Sequence, residues 1–286
     1  MSALRRLALA VAILLSALAP SLAGARTAPL RDYFVLVFNG AVAGQEQEYN
    51  RWYDQEHAPD VVSIPGFVSA QRFMRSPVQM RPDAGDSPAY VVLYHIRTRD
   101  LASVYAEVNR RAGNGQTRMS KALARGGGMN LTFVGTDATR TRAIDPSRLY
   151  LHIVMADSDA GQERSFDRWY ARHHAPDMAK LPGFSSYELG AFATTQMVPD
   201  ARAPRHVALF RIDTSDLPAT IAAFRQTAPG MTPGPAMHNL WGYTYKAIGP
   251  AISGETERRK RQALARGHSS AGDAPAPPNT GRIVRS

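Results

Sequence analysis

The sequence predicts an α+β protein in which one βαββαβ unit is written twice, and three observations carry that prediction. Gly44–Phe67 and Gly161–Phe184 share 13 of 24 positions without a gap, including RWY, HAPD and PGF. The likeness continues: Tyr90–Ile96 matches His206–Ile212, and an Asp-Leu pair follows each, at Asp100–Leu101 and Asp216–Leu217. The third observation is the period. A repeat of roughly 115 residues is too long for a solenoid and right for a duplicated domain.

Each element then follows in order. Tyr33–Phe38 (YFVLVF) and Leu149–Met155 (LYLHIVM) are apolar, β-rich runs and read as buried strands. A helix follows a Gly-containing loop, from about Gln45 to Glu56 and from about Gln162 to His173. In it Tyr49, Trp52 and Tyr53 fall at i, i+3 and i+4, and Phe166, Trp169 and Tyr170 repeat that stripe. Pro59 and Pro176 are expected to stop these helices, because proline lacks the N–H and biases the preceding residue away from α. Pro65-Gly66-Phe67 and Pro182-Gly183-Phe184 read as turns into a second strand, with Phe67, Ser69, Gln71 and Phe73 on one face. A third strand is expected at 89–97 and 205–212. A second helix starts near Asp100 and Ser215, where Asp, Ser or Thr can cap it. The last strands are expected at Met129–Val134 and Tyr243–Ile248. This is the ferredoxin-like order. One such unit leaves a sheet face apolar and bare, so two tandem units, 26–140 and 141–250, are expected to press those faces together as an intramolecular, pseudo-dimeric α+β barrel. Whether that chain stays a monomer or dimerises again is left open.

The two ends read differently from this body. Arg5 and Arg6 precede an apolar run, Leu7–Ala19, and Ser21-Leu22-Ala23 or Ala23-Gly24-Ala25 supplies small residues for cleavage. Residues 1–25 are therefore expected to be a removed signal peptide, which makes the mature protein periplasmic or secreted and leaves no membrane span. The chain has no cysteine, which excludes disulfides, thiolate catalysis and Cys-ligated metals. The formal net charge is +10, but much of the excess lies in Arg5, Arg6 and a tail from Ala251 to Ser286. That tail is expected to be solvated and disordered, or to touch an anionic surface. No nucleic-acid-binding module is visible, and no nucleic-acid partner is expected.

The phrase W-Y-x-x-x-H-x-P-D followed by P-G-F resembles the dimeric α+β-barrel superfamily, and within it the EthD-like proteins. The resemblance covers roughly 33–135 and 149–249. It implies either a cofactor-free lyase, cyclase, isomerase or monooxygenase of small organic molecules, or a member without activity. Fold alone does not choose between these.

His57 and His174 are the leading site candidates, because an imidazole can give or take a proton near neutral pH. Tyr53 and Tyr170 lie one turn before them and could orient the ring or meet a ligand oxygen. Asp54 and Glu56 become Ala171 and His173 in the second copy, so an acid–His arrangement could be complete only in the first. The competing reading is structural: a histidine at a helix C-terminus caps carbonyls, and Asp60 or Asp177 holds it. Trp52 and Trp169 are either packing residues or a stacking wall, with Phe67 and Phe184 beside them. The expected ligand is a small apolar or aromatic molecule. His173 and His174 are adjacent and point about 100° apart, unlike the i, i+4 pair of a zinc helix, so no metal is expected. No cofactor is expected. Haem is the alternative, with His95, His152, His206 and His238 as spare imidazoles. Gly126–Gly128 lacks the lysine of a phosphate loop, and Met231–Pro235 reads as a loop that could cover the second mouth. If the repeated phrase is only a folding signature, the protein is a non-catalytic binding or structural one.

Overall fold

The computed structural model describes residues 28–81, 87–125, 128–139, 143–199 and 203–271. The expected signal segment, Gly126, Gly127 and the chain beyond 271 lie outside them. The first half runs β1 (Arg31–Asn39), α1 (Glu46–Trp52), a π-turn (Tyr53–His57), α2 (Ala58–Val62), β2 (Phe67–Arg75), β3 (Tyr90–Thr98), α3 (Leu101–Gly113) and β4 (Met129–Ala138). The second half repeats the order: β5 (Leu149–Ser158), α4 (Glu163–Trp169), a π-turn (Tyr170–His174), α5 (Ala175–Ala179), β6 (Phe184–Phe192), β7 (His206–Asp213), α6 (Leu217–Thr227) and β8 (Met237–Ala247). Then come β9 (Ile252–Ser253) and α7 (Gly254–Ala271).

All strand pairings are antiparallel. The first half is ordered β4-β1-β3-β2 and the second β8-β5-β7-β6. Pairing of β4 with β6 and of β2 with β8 joins the halves at both edges, so the eight strands close into a ring. Closure removes the free edges that open sheets must protect. The period-two pattern of β1 explains the layers. Phe34, Leu36 and Phe38 point into the ring, where they meet Leu151, Ile153 and Tyr245 of the other half. Val35 points outward, into a cluster with Tyr49, Trp52 and Tyr53 of the helical layer. Asp100 and Asp216 cap α3 and α6 by accepting from the Ser103 and Ala219 N–H groups, at 3.0 and 2.9 Å. The last strands are longer than expected.

Three expectations are corrected. The prolines do not stop the helices: Pro59 and Pro176 lie inside α2 and α5, and helical backbone continues to Val62 and Ala179. Ahead of each, the Ala58 and Ala175 N–H groups reach back five residues to the carbonyls of Tyr53 and Tyr170. The widened turn gives room to a ring that would clash with the carbonyl four residues back. Second, Phe67 does not share a face with Phe73. A register shift between Phe67 and Ser69 turns Phe67 to the helical layer while Phe73 faces the interior, and Phe184/Ser186 repeats the shift. One extra residue in a period-two strand has that effect. Third, the segment from 251 is not disordered through 271. Charge composition hid β9 and α7, which are held by backbone pairing to β2 and by side-chain contacts made only in the folded chain.

Candidate functional site

The broken helix and α3 stand over the outer face of β1 and β3, leaving a cleft of about 430 Å³. Trp52, Tyr53, His57 and Phe67 all line it, so the structure gathers these four sequence-predicted residues at one place. The His57 ring lies 4.6 Å from that of Trp52, tilted by 31°, and meets the edge of Tyr53 at 4.9 Å. Trp52 is fixed from behind, its Nε1 donating to the Arg118 carbonyl at 3.0 Å. Phe67 meets Tyr94 edge-on at 5.6 Å. The walls are otherwise largely apolar, with Val35, Val61, Ile64 and Tyr105 among them.

His57 is not a helix cap. It closes the π-turn, the helix runs on, and no side-chain cap bond is made. Its Nδ1 is buried with no hydrogen-bond partner among the described residues. Burial, helped by the nearby Arg72 charge, lowers its pKa to about 4. The ring is therefore neutral at neutral pH. The acid–His arrangement is not formed: Asp54 pairs with Arg72 at 2.6 Å and Glu56 with Arg51 at 2.9 Å. Asp60 pairs with Arg261 of α7.

Arg72 is the residue that sequence reasoning missed. It is 4% exposed in its side chain, and its Nη2 donates to Asn50 Oδ1 at 2.7 Å. The guanidinium lies 4.6 Å from the Tyr53 ring centroid and 5.4 Å from that of Tyr49, within the range of cation–π attraction. The Tyr49 hydroxyl donates to Asn39 Oδ1, and Asn39 Nδ2 donates to the Tyr53 hydroxyl at 3.3 Å. Tyr53 is also hydrogen-bonded to Tyr94. Burial pushes both of those phenols above their ordinary range, so they remain protonated. A signal existed at positions where the two halves differ. In equivalent register, Arg72 stands against Leu189, Tyr94 against Phe210, Asn39 against Ala156 and Tyr49 against Phe166.

The second half has the same aromatic frame beside a much smaller cavity. His174 stacks on Trp169 at 4.8 Å and meets Tyr170 at 4.9 Å. Burial lowers its pKa, with Asp177 acting against that. The cavity beside Tyr170 is only about 30 Å³ and does not include His174, space for about one water. Phe184 is packed with Phe210 and Tyr187 in the core of this half. The 231–235 loop lies on Trp169, whose Nε1 donates to the Thr232 carbonyl at 3.1 Å, and Gly234 sits too close to the indole for a Cβ.

Of the four spare imidazoles, His95 is hydrogen-bonded to Asp32 at 2.7 Å and His152 to Thr244 at 3.0 Å. His206 pairs with Asp167 at 2.9 Å and His238 with Asp159 at 3.5 Å. Among the described residues no group of three His, Cys, Asp or Glu could hold a metal ion, and no helix is long and apolar enough to cross a membrane.

No family model matches the chain, and no curated protein sequence matches it. Solved structures do resemble it. An anthrone oxidase-like protein aligns with a TM-score of 0.47 at 11% identity, over 78% of this chain and 93% of its own. A candidate monooxygenase of Fusobacterium nucleatum aligns at 0.49 and 9% identity, over 78% and 94%. A mutant chlorite dismutase of Candidatus Nitrospira defluvii aligns at 0.41 and 12% identity, over 80% and 94%. Likenesses at this level carry no inference about chemistry.

Proposed function

We propose that the first-half cleft binds a small aromatic or apolar molecule bearing a hydroxyl, and that the second half is a closed, structural copy. One observation carries this: an apolar cleft of about 430 Å³ has on its wall a neutral histidine whose buried Nδ1 finds no partner among the described residues. With Nδ1 shut away from the cleft, Nε2 is the nitrogen that a ligand hydroxyl, both donor and acceptor, would meet in either tautomer. Trp52 offers the flat surface for the ring system.

Conversion of the ligand is a narrower reading, and it uses the same groups without a cofactor. At neutral pH the His57 ring is uncharged, its one N–H too weakly acidic to be given up, so it would act as a base. A base with a pKa near 4 is weak, unless negative charge developing on the ligand beside it raises that value. The protonated Tyr53 and Tyr94 hydroxyls, near the Arg72 charge, are the donors that such charge would meet. The same mismatch with neutral pH favours binding over catalysis as the base reading.

His57→Phe separates a ligand role from a structural one, since phenylalanine keeps the stacking on Trp52 and removes both nitrogens. With 2-naphthol as the probe in isothermal titration, the wild type is expected to bind saturably at one site. The variant is expected to bind at least about tenfold more weakly, the effect of losing about 1.4 kcal/mol, while its unfolding temperature stays or rises. Equal affinity in the two proteins, or no saturable binding by either, would sink the reading.

The matching strand orders and the 13 of 24 shared positions support the further proposal that the halves are duplicated ferredoxin-like units. The leader-like pattern of residues 1–25 supports export. Mature N-terminal sequencing that finds Met1 or Ser2 retained would refute the second of these.

A further inference from the structure

The helix α7 docks on the wall of the first cleft. Its entry strand, β9, pairs with β2 at Ser69↔Ser253 and Ala70↔Ile252. Arg258 Nη1 then donates to three main-chain carbonyls: Val62 at 3.2 Å, Ile64 at 3.4 Å and Phe67 at 3.0 Å. Those carbonyls close the end of α2 and the turn into β2, where the helix's own N–H groups have run out. The side chains of Val61, Ile64 and Phe67, on the same stretch, line the cleft. Gly254 lies so close to the Phe67 and Val62 carbonyls that a Cβ has no room there. Arg261 pairs with Asp60, three residues after His57. In the second half the equivalent aspartate, Asp177, pairs instead with Lys180 of its own turn.

The charges of α7 are largely spent within the protein. Arg259 pairs with Glu255 and Lys260 with Glu257, while Arg258 and Arg261 face the α2 segment. That arrangement suits a brace better than a cationic docking surface.

We propose that α7 is a positioning element for the first-half cleft, with Arg258 as its principal residue: by holding the carbonyls of Val62, Ile64 and Phe67, it fixes the wall that a ligand packs against. This rests on the ligand-binding reading of that cleft. Among the described residues none of α7 lines the cleft, so the effect acts through α2 and the start of β2. Thermodynamic linkage makes it reciprocal: a ligand in the cleft tightens the docking of α7.

The test compares full-length wild type, Arg258→Met and Arg258→Lys. Three readouts apply: 2-naphthol affinity, amide hydrogen exchange over 58–67 and over α7, and the NMR positions of the His57 ring and the Trp52 indole N–H. Arg258→Met is expected to weaken 2-naphthol about five- to tenfold, the lower range of such couplings. It should also speed exchange over 58–67 and move the His57 and Trp52 signals, leaving the Trp169 indole where it was. Arg258→Lys, which keeps a charged multiple donor, should restore most of each. Saturating 2-naphthol should slow exchange in wild-type α7. Faster exchange over 58–67 with unmoved His57 and Trp52 signals would reduce α7 to a brace without influence on the site and overturn the proposal, as would unchanged exchange in Arg258→Met. If the wild type binds no 2-naphthol, the functional reading falls, and the exchange and His57 readouts still decide the positioning role. Gly254→Ala supplies a second variant, expected to undock the same helix by steric means.

Discussion

Lowering the pH from about 6.5 to about 4 should remove several kcal/mol of stability, mostly through two histidines. His57 and His152 are both lowered by burial to a pKa of about 4, against an ordinary value of 6.5. The sign follows from which state binds the proton. Above pH 6.5 both rings are neutral whether the chain is folded or not, and the contribution is full. Between 6.5 and 4 the unfolded chain takes protons that the folded one refuses, so stability falls as pH falls. Below the folded pKa the loss levels off. A shift of this size amounts to about 3 kcal/mol for each histidine. Urea unfolding midpoints at pH 7, 5.5 and 4.5 measure it. His57→Phe should remove about half of the slope across this window, because the His152 share, in a ring held to Thr244, remains. A flat stability profile from pH 7 to 5 would show that neither ring is desolvated as the structure places it.

Arg72→Leu should cost about 3 kcal/mol, although leucine is what the second half carries at the equivalent position, 189. Breaking a buried ion pair by removing one partner costs about 3–5 kcal/mol when the other charge stays buried. Here the abandoned partner, Asp54, is 52% exposed in its side chain and can rehydrate, which puts the expectation at the low end. The Tyr49 and Tyr53 rings lose their cation, and Asn50 Oδ1 loses its donor. The variant should also raise the His57 pKa, since the Arg72 charge is the second cause of its depression. It should not return to 6.5, because burial is the first cause and remains. Denaturant unfolding and an NMR titration of His57 measure the two effects. A loss below about 1 kcal/mol would show that the cluster is no more than a surface pair.

The site was legible in part because aromatic spacing on a helix is a local property. Trp52, Tyr53 and His57 stand on one helical stretch, and Phe67 follows a Pro-Gly turn, so the sequence could name four of the cleft's walls. It could not name Arg72, Asn39 or Tyr94, which reach the helix from strands 14 to 41 positions away. Asp54 and Asp60 were assigned to His57 because they are close in the chain. Long-range arginines took both: Arg72 lies 18 positions from Asp54, and Arg261 lies 201 from Asp60. Spacing along the chain does not report which opposite charge arrives from elsewhere in the fold.

By itself, then, the sequence determined the internal likeness of the two halves, the strand–helix order of each and the frame of aromatic residues. All of these rest on periodicities of a few residues and on comparison of the chain with itself. Only the tertiary structure decided that a π-turn precedes each helical proline, and that the cleft beside His57 has about 430 Å³ while the cavity beside Tyr170 has about 30 Å³. It alone decided that a basic C-terminal segment folds back onto α2. Each of those outcomes depends on volumes left between elements, or on hydrogen bonds between distant residues. Neither quantity exists until the ring of strands has closed.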